Sequence, residues 1–233
     1  MIYYDIHTHQ TTVRAEDIAI ISLDIINRDN LPEIFSTERN IPKMPSSRYI
    51  ETNKRHEYYS VGIHPWNPDK SLISKVREYA TSPTVIAIGE TGLDKNSTNS
   101  TDDFKLQQEL FIEHIIISEE VKKPLIIHCV KAWNELLHIR KSINPLIPWI
   151  IHGFRGKAAL ATQLLNAGLY LSFGAFHNTD SIKVAWEKRR LLTETDDTNT
   201  DIRDIYAQIA NKLSIPVEEL SGNIKVFFNT YFL

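Results

Sequence analysis

A single cysteine among 233 residues excludes an internal disulfide framework and any cysteine-rich zinc module. No apolar run approaches the roughly 18 residues of a membrane-spanning helix. The opening segment Met1-Ile2-Tyr3-Tyr4-Asp5 has neither the basic nor the apolar region of a secretory leader, so a reducing cytoplasm is the expected setting. Excess positive charge is also missing. The chain carries 26 Lys and Arg against 29 Asp and Glu, a net charge of -3. That balance argues against nucleic acid held by bulk charge and leaves room only for a local basic rim. There is no internal repeat, and the composition, 42% hydrophobic and 24% charged, is not that of a disordered chain.

What is present is an alternation of short apolar runs with longer amphipathic ones, the pattern of βαβ units and a parallel sheet. The short runs are Ile2–Ile6, Ile18–Ile26, Tyr58–Ile63, Thr84–Ile88, Leu125–Cys129, Trp149–Ile151, Leu169–Phe173 and Leu191–Thr195. Eight such runs match the strand count of a closed (β/α)8 barrel, which this length can form as a single domain spanning residues 1–233. Helical spacing is strongest over Ser71–Tyr79, Phe104–Val121, Ala132–Lys141, Lys157–Ala167 and Ile202–Leu213. Asn27–Glu57, with Pro32, Pro42 and Pro45, reads as an irregular connection after the second strand. Lys95–Asp103 reads as an exposed polar loop. Its Asn96-Ser97-Thr98 and Asn99-Ser100-Thr101 match glycosylation sequons, which carry no weight without a secretory leader.

Ionisable residues collect where the apolar runs end: His7 and His9 after the first, His64 after the third, Glu90 after the fourth, His128 after the fifth, His152 after the sixth and Asp196 after the eighth. In a barrel these ends converge on one mouth. His7 and His9, two apart on a strand, share a face and can address one ion. Imidazole nitrogens with carboxylate oxygens suit zinc, manganese or iron, with magnesium less natural. Any one of these residues alone has an ordinary reading as a hydrogen-bonded core histidine or a capping carboxylate. Seven together at strand ends do not.

The motifs Asp5-Ile6-His7-Thr8-His9, Gly62-Ile63-His64-Pro65-Trp66, Gly89-Glu90-Thr91-Gly92-Leu93-Asp94, Ile127-His128-Cys129, Ile151-His152-Gly153-Phe154 and Thr193-Glu194-Thr195-Asp196 occur in the order seen in TatD-related hydrolases, and the chain resembles that family from residue 1 to about 230. Gln107 and Phe111 fit its helix motif after the fourth strand. Departures fall on the rim: Asp197-Thr198 stands where Ala-Pro is usual, Val130 and Lys131 where an arginine often follows, and Gly153-Phe154-Arg155-Gly156 replaces Cys-Phe-Ser-Gly. The connection after the second strand is also shorter and more irregular than usual.

The resemblance implies two divalent ions (zinc, manganese or magnesium), the first held by His7, His9 and Asp196, the second by His128 and His152, with Glu90 bridging. It also implies cleavage of DNA phosphodiester bonds by a metal-activated hydroxide, with no membrane and no obligate protein partner. Two ions bring four positive charges, from which Glu90, Asp196 and a hydroxide subtract three, so an acidic chain can still offer phosphate a positive site. Catalytic roles fall to Asp196, Glu90 and His64. Asp196 is either a pure ligand or also the base that orients water. His64 either donates to a phosphate oxygen or leaving group, or simply holds the Gly62–Trp66 turn. Lys131 and Arg155 join His64 as substrate-binding candidates, with Lys157 more ordinary as a solvent-facing charge. Trp66 either stacks on a base or packs beside Pro65.

His56, His114 and His138 fall in loops or helices without partners and read as structural or surface residues. His177 could reach the mouth, and Cys129 should point away from it. A small-metabolite amide or lactone hydrolase is the alternative activity. Glu90 stands where many such relatives carry a carboxylated lysine. A scaffold with a degraded site fits poorly with six retained ligand-type residues.

Overall fold

Eight strands pair side by side in chain order, every pair parallel: β1 (Tyr3–Thr8), β2 (Asp17–Asp24), β3 (His56–Gly62), β4 (Val85–Asp94), β5 (Leu125–Val130), β6 (Trp149–Ile151), β7 (Tyr170–Phe173) and β8 (Leu191–Thr193). The computed structural model describes residues 1–10, 14, 17–25, 56–98 and 100–232, with residues 56 and 57 described in backbone only. Between β8 and β1 the ring is joined by a bridge at Thr8 and Asp196, with Asp196 N–H donating to His7 O and His9 N–H to Asp196 O, both at 3.0 Å. Below it, Asp5 accepts from Thr195 N (3.0 Å) and Thr195 Oγ1 (2.6 Å). The result is the expected (β/α)8 barrel.

The helices among the described residues are α1 (Ile73–Tyr79, entered through a 3-10 turn at Lys70–Leu72), α2 (Thr101–Val121), α3 (Trp133–Ile143), α4 (Ala158–Asn166), α5 (Thr179–Glu187), α6 (Ile202–Leu213) and α7 (Val217–Tyr231). They wrap the sheet, which is why all ten residues of β4 are buried. On α2 the buried positions Gln107, Phe111, His114 and Ser118 recur at helical spacing and face the barrel.

Several boundaries differ from expectation. β1 runs through His7, and β4 continues six residues past Ile88, so that Glu90 lies inside a strand rather than after one. His56 and Glu57 belong to β3, not to the irregular connection; residues 26–55 lie outside the described part. The polar loop after β4 is shorter than expected, because Ser100 caps α2 by accepting from Asp103 N and Thr101–Asp103 are helical. Asn99 is not described. Two helices, α5 and α7, were not anticipated. Leu220, Ile224, Phe227 and Phe228 of α7 carry a full helical stripe behind Pro216, so the signal was in the sequence.

Candidate metal centre

Two irregularities in strand pairing set the centre. The ladder slips between Asp5 and Thr8 on β1 and between Ile88 and Thr91 on β4, and His7 and Glu90 lie inside those slips. Such bulges re-aim a side chain without ending the strand. Gly89 (φ +137°) and Gly92 (φ +148°) flank Glu90. A Cβ on Gly89 would strike Ile126 O, and one on Gly92 would strike His128 O, so only glycine lets β4 lie this close to β5. Asp196 sits at φ +55°, a left-handed conformation that aspartate tolerates better than most residues.

Glu90, 5% exposed, divides its two oxygens between two groups of donors. Oε2 faces His7 Nε2 (3.4 Å) and His9 Nε2 (3.5 Å), which also face Asp196 Oδ1 at 3.7 and 3.8 Å. Oε1 faces His152 Nε2 (2.7 Å), His128 Nδ1 (3.1 Å) and His64 Nε2 (3.1 Å), and His128 Nδ1 lies 3.4 Å from His152 Nε2. Two ligands of one tetrahedral ion at about 2.0–2.1 Å lie about 3.4 Å apart, so both groups have the spacing of donors sharing a cation. His7 supplies a second sign of fit: it is fully buried, yet among the described residues neither ring nitrogen has a hydrogen-bond partner. The donors present suit a divalent ion.

The hydrogen bonds on the far side of each ring decide which nitrogen faces inward. Asp94 Oδ2 lies 3.1 Å from His128 Nε2, which therefore carries the proton and leaves Nδ1 free to ligate. His64 is the reverse. Its Nδ1 accepts from Trp66 N (3.2 Å), so the neutral ring carries its proton on Nε2 and donates to Glu90. His64 thus reaches the centre as a donor, although it stands as near Glu90 as His128 does.

Burial opposes charge on Glu90, but charged His152 and the close imidazole nitrogens of His128, His152 and His64 outweigh it and hold the carboxyl well below its usual range. Burial likewise opposes charge on His152, yet Glu90 and Glu194 hold it well above the ordinary imidazole value. A hydrogen bond to Glu90 raises His9 against a smaller effect of burial. A carboxylate that gathers imidazolium protons this strongly is equally suited to a cation.

Two further carboxylates in the quoted motifs, Asp94 and Glu194, stand behind the histidines. Asp94 accepts from Trp66 Nε1 (2.8 Å) and orients His128. Glu194, fully buried, accepts from Gly153 N and lies 3.7 Å from His152 Nδ1. Asp94 thus holds His128 as an outer carboxylate holds a histidine ligand in metal sites, whereas Glu194 acts on His152 by charge at 3.7 Å and not through a hydrogen bond. Gln107 explains its place in the helix motif: it accepts from Asp94 N (2.8 Å) and donates to Pro65 O (2.8 Å), tying the β3 and β4 ends together.

Lys131 and Arg155 line the cavity of about 1160 Å³ above Glu90, together with Trp66, Asp24 and Asp197. Lys157 is exposed at the start of α4 and does not line it. His114 is buried with two partners, correcting the expectation that it has none: Nε2 accepts from Ile63 N (3.0 Å) and Nδ1 donates to Leu110 O (2.7 Å). His56 begins a strand, and His138 is exposed on α3. His177 turns to Gly174 O and Lys212 Nζ instead of the centre. Burial pushes the Cys129 thiol up to about 12, which removes it as a nucleophile.

A parallel barrel with histidines and carboxylates gathered at the C-terminal ends of its strands is the architecture of a metal-dependent hydrolase. The model of the family described as TatD related DNase matches residues 4–232. An uncharacterized metal-dependent hydrolase of Buchnera aphidicola subsp. Baizongia pistaciae is 33% identical over 208 residues, 84% of this chain and 78% of that protein. The 3'-5' ssDNA/RNA exonuclease TatD of Klebsiella pneumoniae is 25% identical over 193 residues, 77% of this chain and 72% of its own. Among solved structures, the TatD homolog YJJV of Escherichia coli superposes with a TM-score of 0.76 at 18% identity, over 99% of this chain and 97% of that one. The chain belongs to the TatD family of metal-dependent hydrolases.

Proposed function

We propose that residues 1–233 form one hydrolase domain that binds two divalent ions, zinc, manganese or magnesium, and cuts phosphodiester bonds in DNA. The observation that carries this reading is the division of Glu90, one oxygen toward His7 and His9 and the other toward His128 and His152. His7, His9 and Asp196 would hold the first ion, His128 and His152 the second, and Glu90 both. When bound, such ions polarise a phosphoryl oxygen and make a water-derived nucleophile available at neutral pH.

The chain's own groups do the rest. Asp196 Oδ1, on the open side of His7 and His9, accepts the hydrogen bond of the attacking water and takes its proton. His64 gives its one N–H to Glu90 before substrate binds, and would turn it to a phosphate oxygen or the leaving oxygen once substrate is seated. Lys131 and Arg155 on the rim hold phosphates of the strand. Similarity to a protein named as a 3'-5' ssDNA/RNA exonuclease supports a nucleic-acid substrate. The unpaired Cys129 suits the cytoplasmic setting expected from the sequence.

The test is to strip the protein of metal and offer it DNA, RNA, and small amides and lactones, restoring magnesium, manganese or zinc in turn. Metal-dependent cleavage of DNA is expected. Turnover of an amide or lactone with no cleavage of DNA would replace the nuclease reading with the small-metabolite one.

A further inference from the structure

Among the described residues, two aromatic side chains are more than half exposed, Trp66 at 61% and Phe176 at 64%. Neither is scattered at random over the surface. Trp66 follows β3 and Phe176 follows β7, which in a ring of eight strands in chain order stand four places apart, on opposite sides of the mouth. Trp66 lines the cavity over Glu90, and Phe176 lines a small depression that shares Asp196 with it. A lone exposed aromatic needs no explanation, but two placed across a hydrolytic centre do.

Each ring is held in place by its neighbours. Trp66 is fixed along one edge: Nε1 donates to Asp94 Oδ2 at 2.8 Å, and the indole meets His64 edge-on at a centroid distance of 4.7 Å. Phe176 carries the Arg155 guanidinium over its face, 5.3 Å from the ring centroid. A guanidinium above an aromatic ring is itself a flat, positively charged surface on which a base can stack. Both platforms are therefore built before any substrate arrives. The centre between them would act on a phosphate, whose two flanking nucleosides extend to either side.

We infer that Trp66 and the Arg155–Phe176 pair are two stacking subsites that grip unpaired bases on opposite sides of the phosphate being cut. This rests on the phosphodiesterase reading above. Stacking surfaces of this kind accept any base, since every base has a flat face, and they cannot engage bases still paired and stacked in a duplex.

The experiment uses single-stranded oligothymidylate, the same strand with an abasic residue on one or the other side of the cleaved phosphate, and the corresponding duplex. Hydrolysis with manganese and the quenching of tryptophan emission on binding are measured for the full chain and its variants. The wild type should lose roughly tenfold in kcat/KM at either abasic substitution and more on the duplex. Trp66→Ala should be insensitive to the abasic residue on one side, and Phe176→Ala to that on the other. Trp66→Phe, which keeps a ring but cannot donate to Asp94, should keep the discrimination, separating stacking from the support of Asp94.

Cleavage by variants that discriminate abasic from intact strands as the wild type does would overturn the stacking proposal while leaving the phosphodiesterase reading intact. Quenching that Trp66→Phe abolishes, without cleavage of any strand, would keep the Trp66 subsite and overturn the reading of the centre. Absence of both would overturn both.

Discussion

His114 lends itself to a quantitative test because its environment is fully defined. The ring is completely buried, accepts from Ile63 N through Nε2 and donates to Leu110 O through Nδ1, so it fits only as the neutral tautomer. Burial pushes its pKa down to about 4, against about 6.5 in an unfolded chain. Between these values the unfolded chain binds a proton that the folded chain refuses, so stability rises with pH in that window. The contribution is fully present above about pH 6.5 and is lost as pH falls toward 4, amounting to about 3 kcal/mol in all and about 2 kcal/mol by pH 5. The assay is urea unfolding of wild type and His114→Gln at about pH 7.5 and about pH 5. Groups remote from residue 114 are the same in both proteins and cancel in the difference. The wild-type advantage should shrink by about 2 kcal/mol on acidification. A difference that stays constant with pH would refute the neutral, desolvated ring.

Glu90→Gln should weaken both proposed ions together, which metal analysis after dialysis against a chelator would read; retention of full metal content and activity would remove the bridging role. Asp94→Ala should lower metal affinity roughly 10–100-fold by releasing His128 from its fixed tautomer, measured by chelator competition, with unchanged affinity counting against it. Gln107→Ala strands Asp94 N and Pro65 O in a buried setting and should cost about 2–3 kcal/mol in urea unfolding. Gly92→Ala forces a Cβ into His128 O at a positive φ and should cost more than about 2 kcal/mol, seen as a lowered Tm.

Much of the barrel was legible because parallel strands covered on both faces read as short continuous apolar runs, and seven of the eight match at both ends to within two residues, β4 alone running six residues further. The six ligand-type side chains were legible for a related reason: histidine and carboxylate after an apolar run are costly unless something uses them. Position inside the strand was harder to read. Glu90 was expected after β4 and lies within it, since a bulge at Gly89 leaves no mark in hydropathy. Partnership was harder still. His114 looks idle in sequence because its partner is the backbone N–H of Ile63, just past β3 and 51 residues away. The role of Glu194 depends on His152, 42 positions earlier, and Phe176 gains meaning only from Arg155 and from Trp66 across the mouth.

The junction of the first and last strands has a consequence for how the barrel holds its shape. β8 is only three residues long, and what joins it to β1 near the mouth is the bridge at Thr8 and Asp196. His7 and His9 lie on one side of this seam and Asp196 on the other. A cation shared by the three would be a staple across the one place where the ring is sewn shut from opposite ends of the chain. Cation binding and circular closure would then be one equilibrium. At a free-ion concentration a thousand times its dissociation constant, such a staple would add about 4 kcal/mol to closure. The same side chains that address a substrate would hold residue 7 to residue 196, and loss of the ion would loosen the seam before it loosened any other strand pair.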